Sequence, residues 1–377
     1  MTATPPGVGG DDTPPGDRSP RPGRGGRRAV GLLLSVLLLA VVAAASVALG
    51  ARAIPLDQVW DAVAGGTAPT GATVETPDGL EGTEEGAAVE DGLGDTATIV
   101  LEMRVPRTLL GLLVGAALGL AGAVMQALTR NPLAEPGILG VNAGAAAAVV
   151  SAISFLGVTT IRGWIWFAFL GAAVVSVMVY ALGGSRATTP VRLALAGTAI
   201  TAALYGYVNA VVLLDTAALD RMRFWTVGSL ASARMETVWE ILPFVGAGCV
   251  IALFLARPLN ALALGEDTAR ALGTRVPGTR IGSMVVITLL CGAATAACGP
   301  IVFVGLMIPH LVRSITGPDM RWILPYSAVL APVLLLGADI LGRLLARPGE
   351  LQVGIVTALI GGPVFIHLVR RRRMAQL

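Results

Sequence analysis

Ten long apolar runs follow one another along the chain, and each approaches the roughly 20 residues that a helix needs to cross a bilayer. The turn residues Cys298-Gly299-Pro300 separate the seventh run from the eighth, and Pro309 interrupts the eighth. None of the runs shows the alternating pattern of a transmembrane β-barrel. The predicted spans are 29–49, 109–128, 138–158, 164–182, 193–214, 238–255, 281–297, 301–315, 322–341 and 351–369. The sequence therefore predicts an all-α polytopic membrane protein with about ten transmembrane helices.

Composition supports this class, because 54% of the residues are hydrophobic and only 14% are charged, against about 25% charged in soluble domains. All 27 basic residues are arginines. A phosphate-binding loop of the G-x-x-x-x-G-K-[ST] type needs a lysine, so ATP hydrolysis, if it drives this protein, must belong to another chain. The net charge of +3 arises mainly at the chain ends and does not indicate a nucleic-acid partner.

Arginines cluster before the first span and after the last, so both termini are expected in the cytoplasm of a multi-pass protein of the cytoplasmic (inner) membrane. Residues 1–28 are predicted to be a disordered cytoplasmic tail and residues 29–377 the membrane domain. Residues 51–107 should lie outside the cell and contain a Gly/Thr/Glu-rich acidic insertion at 65–98. A cleaved signal peptide over 27–53 is the alternative, but its apolar run is longer than an ordinary signal sequence.

Chemistry at a metal or catalytic centre is not indicated. The three cysteines form no CxxC pair, and the two histidines are far apart in the sequence. Asp339 lies one helical turn before Arg343, which predicts an ion pair; a proton-relay role for Asp339 is the alternative. Transport is therefore favoured over catalysis.

The segment 257–280 is the one long polar stretch in the second half of the chain. Its residues Leu262, Gly265, Ala269, Leu272 and Val276 recur at helical spacing and share one face. Glu266 and Arg270 can pair on another side. This face is predicted to contact a soluble partner, and a solvated connector is the alternative.

Several motifs resemble one family. They are RVPRTLLGLLVGAALGLAGAVMQALTRNPLAEPGILGVNAGA from Arg104, LALAG from Leu193, WTVGSL from Trp225, LALGEDTARALG from Leu262, GPIVFVGLMIPHLVR from Gly299, GADILGR from Gly337 and PGELQVGIVTALIGGPVFIHLV from Pro348. In order and spacing they resemble the FecCD-like iron-siderophore and vitamin B12 permeases of type II ABC importers. The resemblance extends over nearly the whole chain from Ala29 onward.

The resemblance implies the permease fold of type II ABC importers and a dimer of identical or related permeases with the substrate path between them. It also implies an ABC ATPase subunit that uses ATP, an extracytoplasmic substrate-binding protein and, for this chain, no bound cofactor. The cargo would be an iron chelate, with ferric siderophore as the default and heme or a corrinoid left open. A secondary transporter or a channel, not driven by ATP, is the alternative of another class.

The same resemblance places functional roles on particular residues. The ATPase-coupling residues would be Leu264, Gly265, Glu266, Ala269, Arg270, Leu272 and Gly273. Arg104, Arg107 and Arg343 would dock the binding protein, and Pro190 and Val191 would form the inner gate. The structural motif residues would be Asn131, Pro132, Gly305, Pro309 and His310. Guanidinium groups suit docking because each can hold a carboxylate through two hydrogen bonds; contact of these arginines with membrane lipid is the alternative.

Overall fold

The computed structural model describes residues 24–52, 54–64, 96–158, 160–183 and 190–371, and everything below refers to these. Most of the predicted tail and of the acidic insertion lies outside the described residues. The helices are α1 (Arg24–Ala48), α2 (Leu56–Val63), α3 (Val105–Thr129), α4 (Val141–Leu156), α5 (Ile161–Leu182), α6 (Pro190–Leu214), α7 (Thr216–Trp225), α8 (Met235–Phe254), α9 (Ala256–Ala263), α10 (Glu266–Ala271), α11 (Val276–Cys298), α12 (Val304–Thr316), α13 (Met320–Leu345) and α14 (Val353–Arg371).

Ten of these helices correspond one to one with the ten predicted spans. Seven are long and apolar enough to cross a membrane, and α4, α12 and α14 are shorter apolar helices. The all-α, polytopic fold is thus confirmed within the described part of the chain.

Two predicted boundaries are wrong. Helix α1 begins at Arg24, inside the predicted tail, because a helix can continue past its apolar run into a polar end. Residues 96–98 of the predicted insertion are also helical, and a π-helical turn, Ile99–Arg104, joins them to α3. The second span therefore begins well before its apolar run does.

Helix α3 forms the centre of the bundle and packs against α8, α11, α12 and α13. Glycines allow this close approach: a side chain at Gly115 would meet the backbone of Pro332, and one at Gly122 would meet the backbone of Gly305. Small residues commonly let helices pack tightly in membranes, where lipid supplies no hydrophobic drive. Helices α1 and α6, in contrast, are peripheral and largely exposed.

The two ends of the bundle carry its polar features. At one end, here called the clamp end, α1 ends, α3 begins and α13 ends. At the other, the segment end, α9 and α10 lie between the last residue of α8 and the first residue of α11. Helix α13 connects the two ends, from Asp319, whose carboxylate accepts the backbone N–H of Arg321 at its first turn, to Arg343.

Candidate functional sites

A buried ion network lies at the clamp end between α3 and α13. A guanidinium nitrogen of Arg107 lies 2.8 Å from one oxygen of Asp339 and another lies 2.7 Å from Glu350. Arg343 lies 3.0 Å from the second oxygen of Asp339. The predicted Asp339–Arg343 ion pair is confirmed, and the network extends through Arg107 to Glu350, a residue of the loop after α13 that the sequence did not suggest.

Arginine side chains also cap the last turn of α1. Arg104 donates hydrogen bonds to the carbonyls of Val47, Ala48 and Arg52 at 3.1, 2.8 and 2.7 Å. Arg343 donates to the carbonyls of Ser46 and Leu49 at 3.0 and 2.7 Å.

A third arginine completes this arrangement, because Arg347 donates to the carbonyl of Gly50 at 2.8 Å. The last carbonyls of a helix have no partner within the helix, and positive charge is favourable near them. We call Arg104, Arg343 and Arg347 the arginine clamp, since together they hold residues 46–52 against the bundle.

These contacts correct the basis of the docking prediction. Docking requires Arg104, Arg107 and Arg343 to be accessible, but their exposed fractions are only 5%, 8% and 2%. The physical reason is that the carbonyls at the end of α1 and the carboxylates of α13 and the following loop need these guanidinium groups. The position of an arginine at a span end could not show that its partners lie within the same chain.

A partly open cavity of about 370 Å³ lies beside this network. Its walls include Arg107 and Glu350 together with Trp164, Arg221 and Trp225. The cavity therefore combines charged groups with two indole rings at the clamp end of the bundle.

The segment 257–280, here called the coupling segment, contains two short helices, α9 and α10, before α11 begins. Gly265, with φ of 104°, separates α9 from α10, and Gly273, with φ of 79°, follows α10. Both values lie in a region that glycine adopts far more readily than other residues. Leu264 and Leu272, beside these two turns, are 64% and 63% exposed.

The predicted partner-facing surface of this segment is partly wrong. Leu262, Ala269 and Val276 face the bundle and form a small buried cluster that packs against Leu128. Leu272 of the predicted face is exposed, as is Leu264, another of the predicted coupling residues. The predicted single helical face does not form, because Leu262, Ala269 and Val276 lie on three different helices, α9, α10 and α11, separated by the turns at Gly265 and Gly273.

Glu266 anchors the segment to its neighbours by charge. Its carboxylate lies 3.4 Å from Arg270, as predicted from their spacing, and also pairs with Arg280 at the start of α11. Arg130, which follows α3, lies 4.0 Å away.

Asn260 of α9 fixes the segment to α13. Its amide nitrogen donates to a carboxylate oxygen of Asp319 at 2.6 Å, and its amide oxygen accepts the backbone N–H of Met320 at 2.8 Å. Helix α9 is thereby connected to a helix that ends in the ion network at the other end of the bundle.

The predicted inner gate lies at the beginning of α6. Pro190 is the first residue of this helix, and the side chain of Val191 is 66% exposed. Thr198, Tyr205 and Asn209 follow at helical spacing and are also exposed. Residues 184–189 are outside the described residues, and the gate stays a prediction.

The motif residues lie where α3 is closest to α12. Gly305 packs against Gly122 of α3, and Pro309 and His310 are buried within α12. Gln126 donates to the carbonyl of Leu306 at 3.0 Å, a hydrogen bond that joins α3 to α12.

The loop after α3 contains the other two motif residues. The side-chain oxygen of Asn131 accepts the backbone N–H of Leu133, a bond within the loop, and Pro132 follows in the same turn. Glu135, which sequence reasoning missed, accepts the backbone N–H of Phe303 at 3.1 Å. A lone carboxylate between two apolar runs was the available signal for this contact, which joins the loop to the start of α12.

Ten apolar helices, with α3 at their centre and polar networks at both ends of the bundle, define a multi-pass membrane protein. Among the described residues, no group of three or more His, Cys, Asp or Glu side chains is placed to hold a metal ion.

Comparison with known proteins identifies the family. The sequence matches the FecCD transport family over residues 37–371. It is 45% identical over 348 residues to the ferric enterobactin transport system permease protein FepD of Escherichia coli, covering 92% of this chain and 96% of that protein. It is 38% identical over 280 residues to the hemin transport system permease protein HmuU of Yersinia pestis, covering 73% and 84%.

A solved structure agrees with this result. A metal-chelate type ABC transporter in an inward-facing conformation superposes with a TM-score of 0.75 and 27% identity, covering 91% of this chain and all of that one. The chain belongs to the FecCD transport family. It is the permease subunit of an ABC importer, which confirms the predicted resemblance and decides against a secondary transporter or a channel.

Proposed function

We propose that this permease imports a ferric siderophore across the cytoplasmic membrane. The observation that carries the proposal is the match to FepD, whose name states ferric enterobactin transport and which aligns over 96% of its length. Relatives named for hemin and for cobalamin are each 38% identical to this chain. The siderophore proposal therefore rests on the higher identity and coverage of the FepD match.

ATP is bound and hydrolysed by a separate ATPase subunit that contacts the α9–α10 segment. The absence of lysine from the chain supports this division of labour, because a phosphate-binding loop of the usual type needs one. Leu264 and Leu272 supply the exposed apolar groups for the contact. Asn260 and Glu266 connect the segment to α13 and α11 and would pass its displacement to the spans.

A second permease, identical or related, packs against the exposed face of α6. Thr198, Tyr205 and Asn209 follow one another on this face, and polar groups are unfavourable against lipid. Hydroxyl, phenol and amide groups in this position suit the surface of a transport pathway for an iron ion that remains bound to its chelator. The substrate path would then lie between the two permeases.

The segment end faces the cytoplasm, and the clamp end faces an extracytoplasmic binding protein. The arginines before α1 and after α14 support this orientation. The cavity beside Arg107, with its two indole rings, lies on the side that receives the cargo.

Uptake measurements test the proposal. A strain that lacks this chain and makes no siderophore would receive radioiron as a ferric catecholate, a ferric hydroxamate or ferric citrate, and separately labelled heme and cobalamin. Expression of the chain should restore uptake of at least one ferric siderophore. As a matched control, Gly246→Ala changes a position with open space around it and should behave as wild type.

Two results would contradict different parts of the proposal. Restored uptake of heme or cobalamin alone would contradict the cargo but leave the importer intact. Uptake that persists when the phosphate-binding lysine of the ATPase subunit is replaced would contradict the dependence on that subunit.

A further inference from the structure

Helix α2 is a short helix beside the clamp end, separated from α1 by seven residues. It contacts the end of α1 and the π-helical turn before α3. Only Val59 is buried, with an exposed fraction of 6%. Gln58 and Ala62 are half-buried, and the other residues of the helix are exposed.

The exposed residues of α2 divide into two stripes. Leu56, Trp60 and Val63 are spaced by four and three residues and share one face, and their exposed fractions are 68%, 72% and 50%. Asp57 and Asp61 lie one turn apart on a separate, exposed face. The helix therefore presents one side to the protein, one apolar side and one acidic side.

The arginine clamp fixes the position of α2 along the direction of the membrane-spanning helices. Arg104, Arg343 and Arg347 bind the carbonyls of residues between 46 and 52, which form the end of α1 and the beginning of its connection to α2. The connection is held against the bundle instead of extending into solvent. Helix α2 must consequently lie at the level where α1 leaves the membrane.

The neighbouring surface identifies what covers the apolar stripe. Helix α1 exposes Leu34, Leu37 and Val41 along its length and Leu49 just past its end. Such a face on a membrane span contacts lipid. The stripe of α2 lies at the level where this surface ends, at the membrane boundary, where tryptophan is favoured because its ring is apolar and its N–H can bond to polar groups.

We propose that α2 is an interfacial anchor, with Leu56, Trp60 and Val63 inserted at the boundary between lipid headgroups and acyl chains. Asp57 and Asp61 face water in this arrangement. A helix with one apolar and one charged side lies in the plane of such an interface. The anchor ties the clamped end of α1 to the membrane surface, and it does not depend on which cargo is carried.

Spin labels at adjacent positions test this arrangement directly. Cys249, Cys291 and Cys298 would be replaced by alanine, and a nitroxide attached through Trp60→Cys or, as the matched control on the same helix, Asp61→Cys. The full-length permease would be studied in lipid nanodiscs. The label at 60 should collide several-fold more often with oxygen, which concentrates in lipid, than with a water-soluble nickel chelate, and the label at 61 should show the reverse.

Fluorescence provides a second test that keeps the native cysteines. Lipids brominated near the headgroup should quench part of the tryptophan emission, and Trp60→Phe should remove that part. Emission quenched equally in both proteins would overturn the proposal. The proposal would also be overturned if the label at 60 collided with the nickel chelate as often as the label at 61 does. The same holds if the label at 60 became shielded from the chelate only after a binding protein or a second permease was added.

Discussion

The guanidinium of Arg107 and the carboxylate of Asp339 meet inside the bundle, 232 residues apart in the chain and 2.8 Å apart in space. Asp339 is fully buried and also pairs with Arg343. One carboxylate thus lies between two guanidinium groups, joining α3 to α13 at the clamp end. A buried charge is tolerated only where opposite charges and hydrogen bonds compensate it.

Removal of this carboxylate should destabilise the permease strongly. Asp339→Ala leaves Arg107 and Arg343 facing each other in a buried site, and loss of one partner from such a pair costs about 3–5 kcal/mol. Thermal unfolding in nanodiscs should show a large decrease in Tm. Asp267→Ala removes the exposed partner of Arg270 and should change Tm little; equal effects of the two substitutions would contradict the assigned role.

Close packing of α3 against α12 predicts that a larger side chain at their contact lowers the stability of the permease. Gly122→Val would place a branched side chain against the backbone of Gly305, where α3 meets α12. Overpacking of this kind costs about 1–3 kcal/mol or more. The same substitution at Gly246 meets open space and is the matched control. Thermal unfolding of both variants checks this, and an unchanged Tm for Gly122→Val would show that the helices can separate there without cost.

The sequence could predict the spans because each depends on a local property, a run of apolar residues about as long as the bilayer is thick. The pair Asp339–Arg343 could be predicted for the same reason, since one helical turn separates the two residues. The start of α1 at Arg24 and the helical residues 96–98 before α3 could not, because a helix can continue beyond its apolar run.

Contacts between distant parts of the chain could not be predicted from one sequence. Nothing local to Arg104 indicates that its partners are the carbonyls at the end of α1, and nothing local to Ala269 indicates that Leu262 and Val276 bury it. Both predictions fail for one reason, since neither charge nor small size at a helix end implies exposure. Tertiary packing decides exposure.

Orientation is tested by two equivalent substitutions. Asp57→Cys in α2 and Asp267→Cys in α10 both replace exposed aspartates, one near each end of the bundle. In intact cells a membrane-impermeant maleimide should label position 57 and not position 267. Position 267 should be labelled once the membrane is permeabilised, since the arginine-rich termini of the chain remain in the cytoplasm and α10 lies on the same side. Cys249 would be replaced by alanine to remove the most accessible native thiol. Labelling of both positions in intact cells would contradict the proposed topology.

The exposed leucines of the coupling segment should govern binding of the ATPase subunit. Leu264→Ala and Leu272→Ala each remove an exposed apolar side chain, and truncation of one of the few residues that dominate an interface costs about 1–2 kcal/mol or more, about a tenfold loss of affinity. Affinity of the nanodisc-embedded permease for purified ATPase should fall accordingly, with a parallel loss of uptake. Leu345→Ala is the control, because Leu345 is 73% exposed at the opposite end of the bundle.

Ala269→Trp separates a surface role from a structural one in the same segment. Ala269 is fully buried between Leu262 and Val276, so an indole there should disrupt the packing of α10 and lower Tm, whereas the leucine variants should unfold as wild type does. Binding and thermal unfolding measured on all the variants together distinguish the two roles. Wild-type affinity for the ATPase in a Leu264→Ala/Leu272→Ala double variant would show that the subunit contacts another surface.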